Sequence, residues 1–203
     1  LVAVNVGNGL QSLPADQQSL AWAGRAFTEG GLGQITAEDL ERVLASKVYG
    51  ARLNVTDEAF ALSGSTRPED LDTQLQVLTA YLVDPAWRPE AFARIQAAGA
   101  TIHEHYEATA EGVLARDLAG LLHSGDGRWT FPTKQEIAGT SLEALKSQLA
   151  PPLGRDPIEV DRCCLAGAAE ERVDAVCGIR RHRIPDLASY RFAAHDAVGK
   201  QGL

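Results

Sequence analysis

A stripe of leucines in the middle of the chain constrains its fold more than any other feature of the sequence. The leucines recur every three or four residues, which places them on one helical face; they are Leu71, Leu75, Leu78 and Leu82. Thr66 followed by Glu69 resembles a capping box, with Pro68 beside them, and Asp84-Pro85 ends the pattern. The sequence therefore predicts an amphipathic helix between these two signals.

Three more helices are predicted after the stripe. Pro89 falls in the first turn of a helix that runs to about Glu107. The next helix carries five large apolar residues, namely Val113, Leu114, Leu118, Leu121 and Leu122. After a loop over residues 125–132, Ser141 starts a short helix that holds Leu142, Leu145 and Leu149. Pro151-Pro152 is expected to break that helix.

Two shorter helices are predicted before the stripe. Apolar residues recur at helical spacing from Leu20 to Phe27, and the segment closes at Gly30-Gly31. Thr36, with Asp39 three residues later, resembles a capping box and opens a second helix.

Strands are predicted at both ends of this helical region. Leu1–Val6 is β-rich, residues 49–55 alternate between apolar and other residues, and Phe60 with Leu62 forms a short strand close behind. Two strands so close in sequence form a hairpin, and another strand is expected near 157–160. The mixture predicts an α+β fold, an antiparallel sheet with helices packed on one face.

Charge and composition exclude several classes of function. Lys and Arg number 19 and Asp and Glu 27, giving a net charge of −8, which argues against binding to a nucleic-acid backbone. No apolar run approaches the roughly 18 residues of a membrane span. The glycines at Gly7-Asn8-Gly9 and at 30–33 match neither the dinucleotide fingerprint nor the phosphate loop.

Two stretches carry a resemblance to a known family. One is the hairpin from Val48 to Gly64, and the other reads L-V-D-P-A-W-R-P-E over residues 82–90. With the serial order of the predicted elements, they make residues 1–160 resemble the insulinase/pitrilysin (M16) family of zinc metallopeptidases. The resemblance implies a metallopeptidase-like domain of the LuxS/MPP-like type, most similar to the long bacterial zinc proteases.

The family's catalytic motif is degenerate in this chain. That motif, H-x-x-E-H, supplies two zinc-binding His and a general base on the first helix. Aligned on residues 19–27, its three positions hold Trp22, Arg25 and Ala26, and none of these side chains can bind zinc or activate water. We therefore expect no catalytic residue and no cofactor in this segment.

The resemblance implies a role beside a catalytic domain. We expect a non-catalytic copy of the fold that helps to enclose peptide substrates, while zinc and hydrolysis belong to a catalytic M16 domain in the same chain or in a partner subunit. The segment alone is predicted to be inactive. Two alternatives remain, a structural core subunit without protease activity and a small-molecule binder. Because family members often work outside the cytoplasm, a periplasmic location is expected.

One cluster contains the only dense set of metal-ligating side chains, residues 103–107. His103 and Glu107 are one helical turn apart and are the candidates for a metal, although we interpret the cluster as a solvated helix end and predict no metal site. The aromatic residues of the periodic segments are predicted to lie in the core; these are Trp22, Tyr49, Phe27 and Phe60. No substrate-binding residue is predicted.

The composition changes at Asp161. Residues 161–203 carry seven Lys and Arg and six Asp and Glu, so the first 160 residues hold a net charge of −9. We divide the chain into a domain over 1–160 and a divergent tail over 161–203, either a strand plus a helix or disordered, and either native sequence or the result of a frame change. Its cysteines are predicted to be free thiols; they are Cys163, Cys164 and Cys177.

Overall fold

The computed structural model describes residues 1–162 and 180–184, and an antiparallel sheet lies at its centre. The strands are β1 (Val2–Val6), β2 (Arg52–Val55), β3 (Phe60–Gly64), β4 (Ile158–Arg162) and β5 (Arg180–Ile184). Their order across the sheet is β2-β3-β1-β4-β5, so the first strand of the chain is central. Val4 pairs with Leu62 of β3 on one side and Val160 of β4 on the other. The predicted hairpin is formed by β2 and β3.

Helices pack against one face of this sheet. They are α1 (Arg25–Glu29), α2 (Ala37–Val43), α3 (Leu71–Val83), α4 (Pro89–Glu107), α5 (Ala110–Leu122), α6 (Lys134–Gly139) and α7 (Leu142–Arg155). Val4 and Val6 of β1 are buried under them, whereas Ala3 and Asn5, on the opposite face, are only partly buried. Side chains of the helices and of the covered face form one apolar core. The predicted α+β architecture is confirmed.

The start of α3 is built differently from the predicted capping box. The Thr66 hydroxyl does not cap the helix; it donates a hydrogen bond of 2.6 Å to the carbonyl of Val48. A 3-10 turn over Pro68–Asp70 comes first, and α3 begins at Leu71. Thr66 therefore joins α3 to the segment before β2, which is a long-range contact that local sequence does not encode.

The leucine stripe of α3 is rotated away from the centre of the core. Of the four leucines only Leu78 is fully buried, and the other three lie at the margin of the core. The inward face consists of Gln74, Val77, Leu78 and Tyr81. Gln74 is accepted in the core because its side-chain amide donates to the Gly50 carbonyl at 2.8 Å and accepts from the Gly50 N–H at 2.9 Å.

The prediction that Pro151-Pro152 ends the last helix is wrong. α7 continues through both prolines to Arg155. Its inward leucines hold the helix on the core on both sides of the prolines; they are Leu145, Leu149 and Leu153. Burial of these side chains outweighs the two backbone hydrogen bonds that the prolines cannot donate.

The aromatic residues fall into two groups. Phe27 and Phe60 are buried in the core, as predicted. Trp22 and Tyr49 are only partly buried and pack against its edge. Trp87 adopts a left-handed backbone conformation between α3 and α4, and its ring lies 5.2 Å from that of Phe27.

The tail from residue 161 is described only in part. Asp161 and Arg162 complete β4, and residues 180–184 form β5 beside it. The three cysteines lie outside the described residues, so their predicted state stays a prediction, as does the division at residue 160. Within the described part of the chain, no helix combines the length and apolar composition that crossing a membrane requires.

Candidate functional site

The segment aligned with the zinc motif is not one continuous helix. A 3-10 turn over Ala21–Ala23 carries Trp22, and α1 starts only at Arg25. Gly24 separates the two, and the N–H of Leu20 is held by the Gln148 side chain of α7 at 2.7 Å. The predicted single α-helix from Leu20 to Phe27 is therefore wrong, since the segment begins as a 3-10 turn and becomes α-helical only at Arg25.

The three motif positions lie in different environments. Trp22 is partly buried, Ala26 is 2% exposed, and Arg25 lies on the surface. The Arg25 guanidinium forms an ion pair of 2.6 Å with Glu29, one turn further along α1. The indole of Trp22, the guanidinium of Arg25 and the methyl group of Ala26 can serve neither as a metal ligand nor as a base.

Trp22 fills the space between its turn and the long helix α4. A Cβ on Gly99 would lie only 2.8 Å from Cζ3 of Trp22, so the indole packs directly on the bare backbone of α4. Its Nε1 is buried and has no hydrogen-bond partner among the described residues. Trp22 thus acts as an apolar wedge at the position where the resemblance places the first zinc ligand.

A cavity of about 310 Å³ lies beside Trp22. Seven of its twelve lining residues are aromatic or apolar, and the other five are polar or charged; the main residues are Leu10, Trp22, Arg116, Arg128, Trp129 and Phe131. No local sequence pattern predicts this cavity, because its walls come from the turn after β1, the 3-10 turn, α5 and the loop after α5.

Trp129 is held in the wall of the cavity by side chains of other elements. Its indole Nε1 donates to the Asp57 carboxylate at 2.7 Å, and its ring stacks on that of His123 at 4.1 Å. The guanidinium of Arg128 lies 4.7 Å from the Trp129 ring. Hydrogen bonds from the Arg128 side chain and backbone lower the pKa of Asp126 to about 2. The arginine is thereby already paired.

The predicted metal candidates lie behind this cavity on α4. His103 is buried, at 6% exposure, so the interpretation of this cluster as a solvated helix end is wrong for His103, although its neighbours are exposed. Its Nδ1 lies 3.6 Å from Oε1 of Glu107. The Glu107 carboxylate also faces Lys134 at 3.2 Å and Arg116 at 3.7 Å.

Lys134 and Arg116 already pair with the Glu107 carboxylate, which a metal would need as a ligand. The hydrogen bond from Lys134 lowers the pKa of Glu107, with smaller contributions from the charges around it. The described residues nowhere gather three His, Cys, Asp or Glu side chains that could hold a metal ion. The prediction of no metal site stays a prediction. The apolar and aromatic side chains around Trp22 form a surface that can bind apolar groups.

Comparison with known proteins gives a result at the level of fold. No protein-family model matches the sequence, and no curated protein matches it. The structure matches the periplasmic protease PqqL from Escherichia coli with a TM-score of 0.59 and 19% identity, over 74% of this chain and 17% of that one. It also matches the ferredoxin protease FusC, crystallised in complex with Arabidopsis ferredoxin, with a TM-score of 0.59 and 18% identity over 78% of this chain and 18% of that one.

A protease from Helicobacter pylori is similar as well, with a TM-score of 0.60 and 11% identity over 75% of this chain and 38% of that chain. The chain therefore spans less than a fifth of the length of PqqL and FusC. All three are proteases of the M16 type. At these identities the match concerns architecture, and the described part of this chain has the fold of a domain of the M16-type proteases.

Proposed function

We propose that this chain is a non-catalytic domain of an M16-type zinc metalloendopeptidase, which helps to enclose the peptide substrate while zinc-dependent hydrolysis occurs in another domain. The fold shared with three proteases supports the assignment to such an enzyme. The non-catalytic role rests on a single observation, the apolar wedge formed by Trp22 at the position of the first zinc ligand.

The chemistry of the three motif positions supports hydrolysis in another domain. A catalytic zinc needs three protein ligands and a bound water whose proton a nearby base accepts. Indole N–H is only a donor, and the Arg25 guanidinium is a permanent cation that repels Zn²⁺. The zinc would therefore be held by a catalytic M16 domain, either in the same polypeptide or in a partner subunit.

Substrate enclosure fits the surface beside Trp22. The cavity there offers Trp22, Trp129 and Phe131 to apolar side chains of an unfolded peptide, and its two arginines are already paired with carboxylates. A location in the periplasm, as for PqqL, is part of the proposal. The alternative is a structural core subunit, which would lack an H-x-x-E-H motif both in the full polypeptide and in the adjacent gene.

An assay of the purified chain tests the non-catalytic role. The chain is incubated with a quenched fluorescent unfolded peptide, with and without added Zn²⁺, and its bound zinc is measured after dialysis. We expect no cleavage above the blank and less than one equivalent of zinc. The variants His103→Ala and His105→Ala form a matched pair, because His103 is buried beside Glu107 whereas His105 is exposed on the same helix.

Cleavage that depends on zinc and is lost in His103→Ala but kept in His105→Ala would overturn the proposal. Sequencing the full-length gene and its neighbours then separates the two roles. An H-x-x-E-H motif there supports a protease domain, and its absence from both favours the structural subunit.

A further inference from the structure

The helix α5 turns its apolar side away from the protein. Four of its leucines are exposed to solvent, at 55% for Leu114, 45% for Leu118, 70% for Leu121 and 74% for Leu122. A surface helix ordinarily buries such a stripe against the core. An apolar patch of this kind on a folded domain marks an interaction surface.

The inward side of α5 is the polar one. Gly120 is its one buried residue, and a Cβ there would lie 3.0 Å from the Thr130 hydroxyl oxygen. Arg116 is mostly buried, at 17% side-chain exposure, and pairs with Asp117 at 2.6 Å and Glu107 at 3.7 Å. The contacts with Thr130 and Glu107 join α5 to other elements, so turning the leucines inward would break them.

The spacing of the exposed leucines defines the shape of what they would bind. Leu114, Leu118 and Leu121 are separated by four and then three residues, which is the spacing of a coiled-coil seam. From Val113 to Leu122 the face is about 14 Å long at 1.5 Å per residue. A single helix of about three turns, with its own 3–4 stripe, matches this length and pattern.

The charges beside the exposed leucines indicate which net charge the partner helix should carry. Glu111 lies on the exposed side of α5 and forms no ion pair with any described residue, whereas the carboxylate of Asp117, just before Leu118, is paired with Arg116. The nearby cations are already engaged, since Arg116 pairs with Asp117 and Lys134 with Glu104 and Glu107. A basic partner therefore gains attraction here, whereas a second copy of α5 would set carboxylates against carboxylates in a chain of charge −8.

We propose that the exposed leucine face of α5 binds an amphipathic helix of a partner that carries aliphatic residues at the same 3–4 spacing and Lys or Arg beside them. The inference stands on α5 and the side chains that contact it and goes beyond the proposed role in a protease, so either proposal can fail without the other.

Binding of a synthetic helix to the intact chain tests this inference. The probe is a labelled peptide of about 15 residues with leucines at 3–4 spacing and lysines beside them, and its partner peptide has glutamates in place of the lysines. Fluorescence anisotropy is measured with the unmodified chain, with Leu118→Gln/Leu121→Gln, and with Val43→Gln. Val43 lies on α2 and is 60% exposed, so it controls for the loss of any exposed apolar side chain.

We expect the lysine peptide to bind the unmodified chain and Val43→Gln with equal affinity. Its affinity for the double variant should be lower by about tenfold or more. The glutamate peptide should bind at least about tenfold more weakly than the lysine peptide, with the difference shrinking as salt is added. Circular dichroism checks that the double variant is folded, as expected for exposed positions.

Three results would overturn the inference. Equal binding of the lysine peptide to the unmodified chain and the double variant would show that only the overall negative charge attracts it. Equal binding of both peptides would remove the charge argument. Self-association of the chain in light scattering, abolished by the double variant, would assign the face to a second copy.

Discussion

Single side chains join the segment before β2 to the start of α3, and Asp70 carries the negative charge of this junction. Its carboxylate is 1% exposed and accepts hydrogen bonds from the Val48 N–H at 2.9 Å and from Arg67 Nε at 2.5 Å. Lys47 Nζ lies 3.1 Å away. A buried carboxylate is tolerated here because each of these groups favours its charged form.

Because the pKa of Asp70 is lowered in the folded state, the free energy of unfolding depends on pH. The backbone hydrogen bond from Val48, helped by Lys47 and Arg67, lowers this pKa from 3.8 to about 2. The unfolded chain therefore takes up the proton first, so the stabilisation is complete above about pH 4 and disappears as the pH falls to about 2. We expect the urea midpoint of the unmodified chain to fall across this range, and Asp70→Asn to lower the midpoint at pH 7 and flatten the decline.

Asp72→Asn is the matched control for this prediction, because Asp72 lies two residues after Asp70, in the first turn of α3, and is exposed. It should leave the urea midpoint at pH 7 and its decline almost unchanged. Part of the decline persists in Asp70→Asn, since the pKa of Asp126 is also lowered to about 2. Parallel curves for Asp70→Asn and the unmodified chain would contradict the assignment.

At the scale of elements, α3 shows how a sheet selects which helical face it covers. Local spacing favours a stripe of four leucines, but the sheet covers the side that holds Gln74, Val77, Leu78 and Tyr81. Gln74 reaches Gly50 before β2, and the Tyr81 hydroxyl donates to the Thr28 carbonyl in α1 at 2.8 Å. Polar groups with partners on neighbouring elements thus set the rotation of the helix.

Two leucines of α3 give the test of this rotation. Leu78 is fully buried, whereas Leu75 lies at the margin of the core. Leu78→Ala leaves a cavity and should lower the free energy of unfolding by about 2 to 5 kcal/mol. Leu75→Ala should cost about 1 to 2 kcal/mol, because its side chain is already partly solvated. Urea denaturation of both variants measures the difference, and equal losses would show that the leucine stripe faces the core after all.

Across the whole molecule, the stability of the helices is expected to be uneven. α3 and α5 each have 13 residues, but α3 buries four side chains and α5 buries only Gly120. Local opening of an element costs less when it has few buried apolar contacts. We therefore expect α5 to open more easily than the rest of the helical layer.

Native-state hydrogen exchange measures this difference directly. Amides of α5 should exchange at least about tenfold faster than those of α3, and the equal length of the two helices removes length as a cause. The central strand β1, paired on both sides, should exchange most slowly. Equal protection of α3 and α5 would mean that the exposed leucine face is covered in solution.

At the candidate site, the sequence predicted the chemistry of the zinc-motif positions but not the cavity beside them. The absence of donor groups at Trp22, Arg25 and Ala26 is visible from residue type alone, because no fold gives a methyl group or a guanidinium a lone pair for a metal. The cavity beside Trp22 could not be predicted, since Trp129 and Phe131 come from a loop more than 100 residues away in sequence. The burial of His103 likewise depends on contacts between elements, including the Phe131 ring at 6.3 Å.

The sequence by itself determined the α+β class, the order of the elements apart from the unpredicted α6, and the absence of metal-binding side chains at Trp22, Arg25 and Ala26. These follow from the period of apolar residues and from side-chain chemistry, which are local properties. Only the tertiary structure decided which face of α3 is buried, how α7 continues through Pro151-Pro152, and that α5 presents its leucines to solvent. Each of these depends on which surfaces meet, and periodicity can identify an apolar face without identifying what covers it.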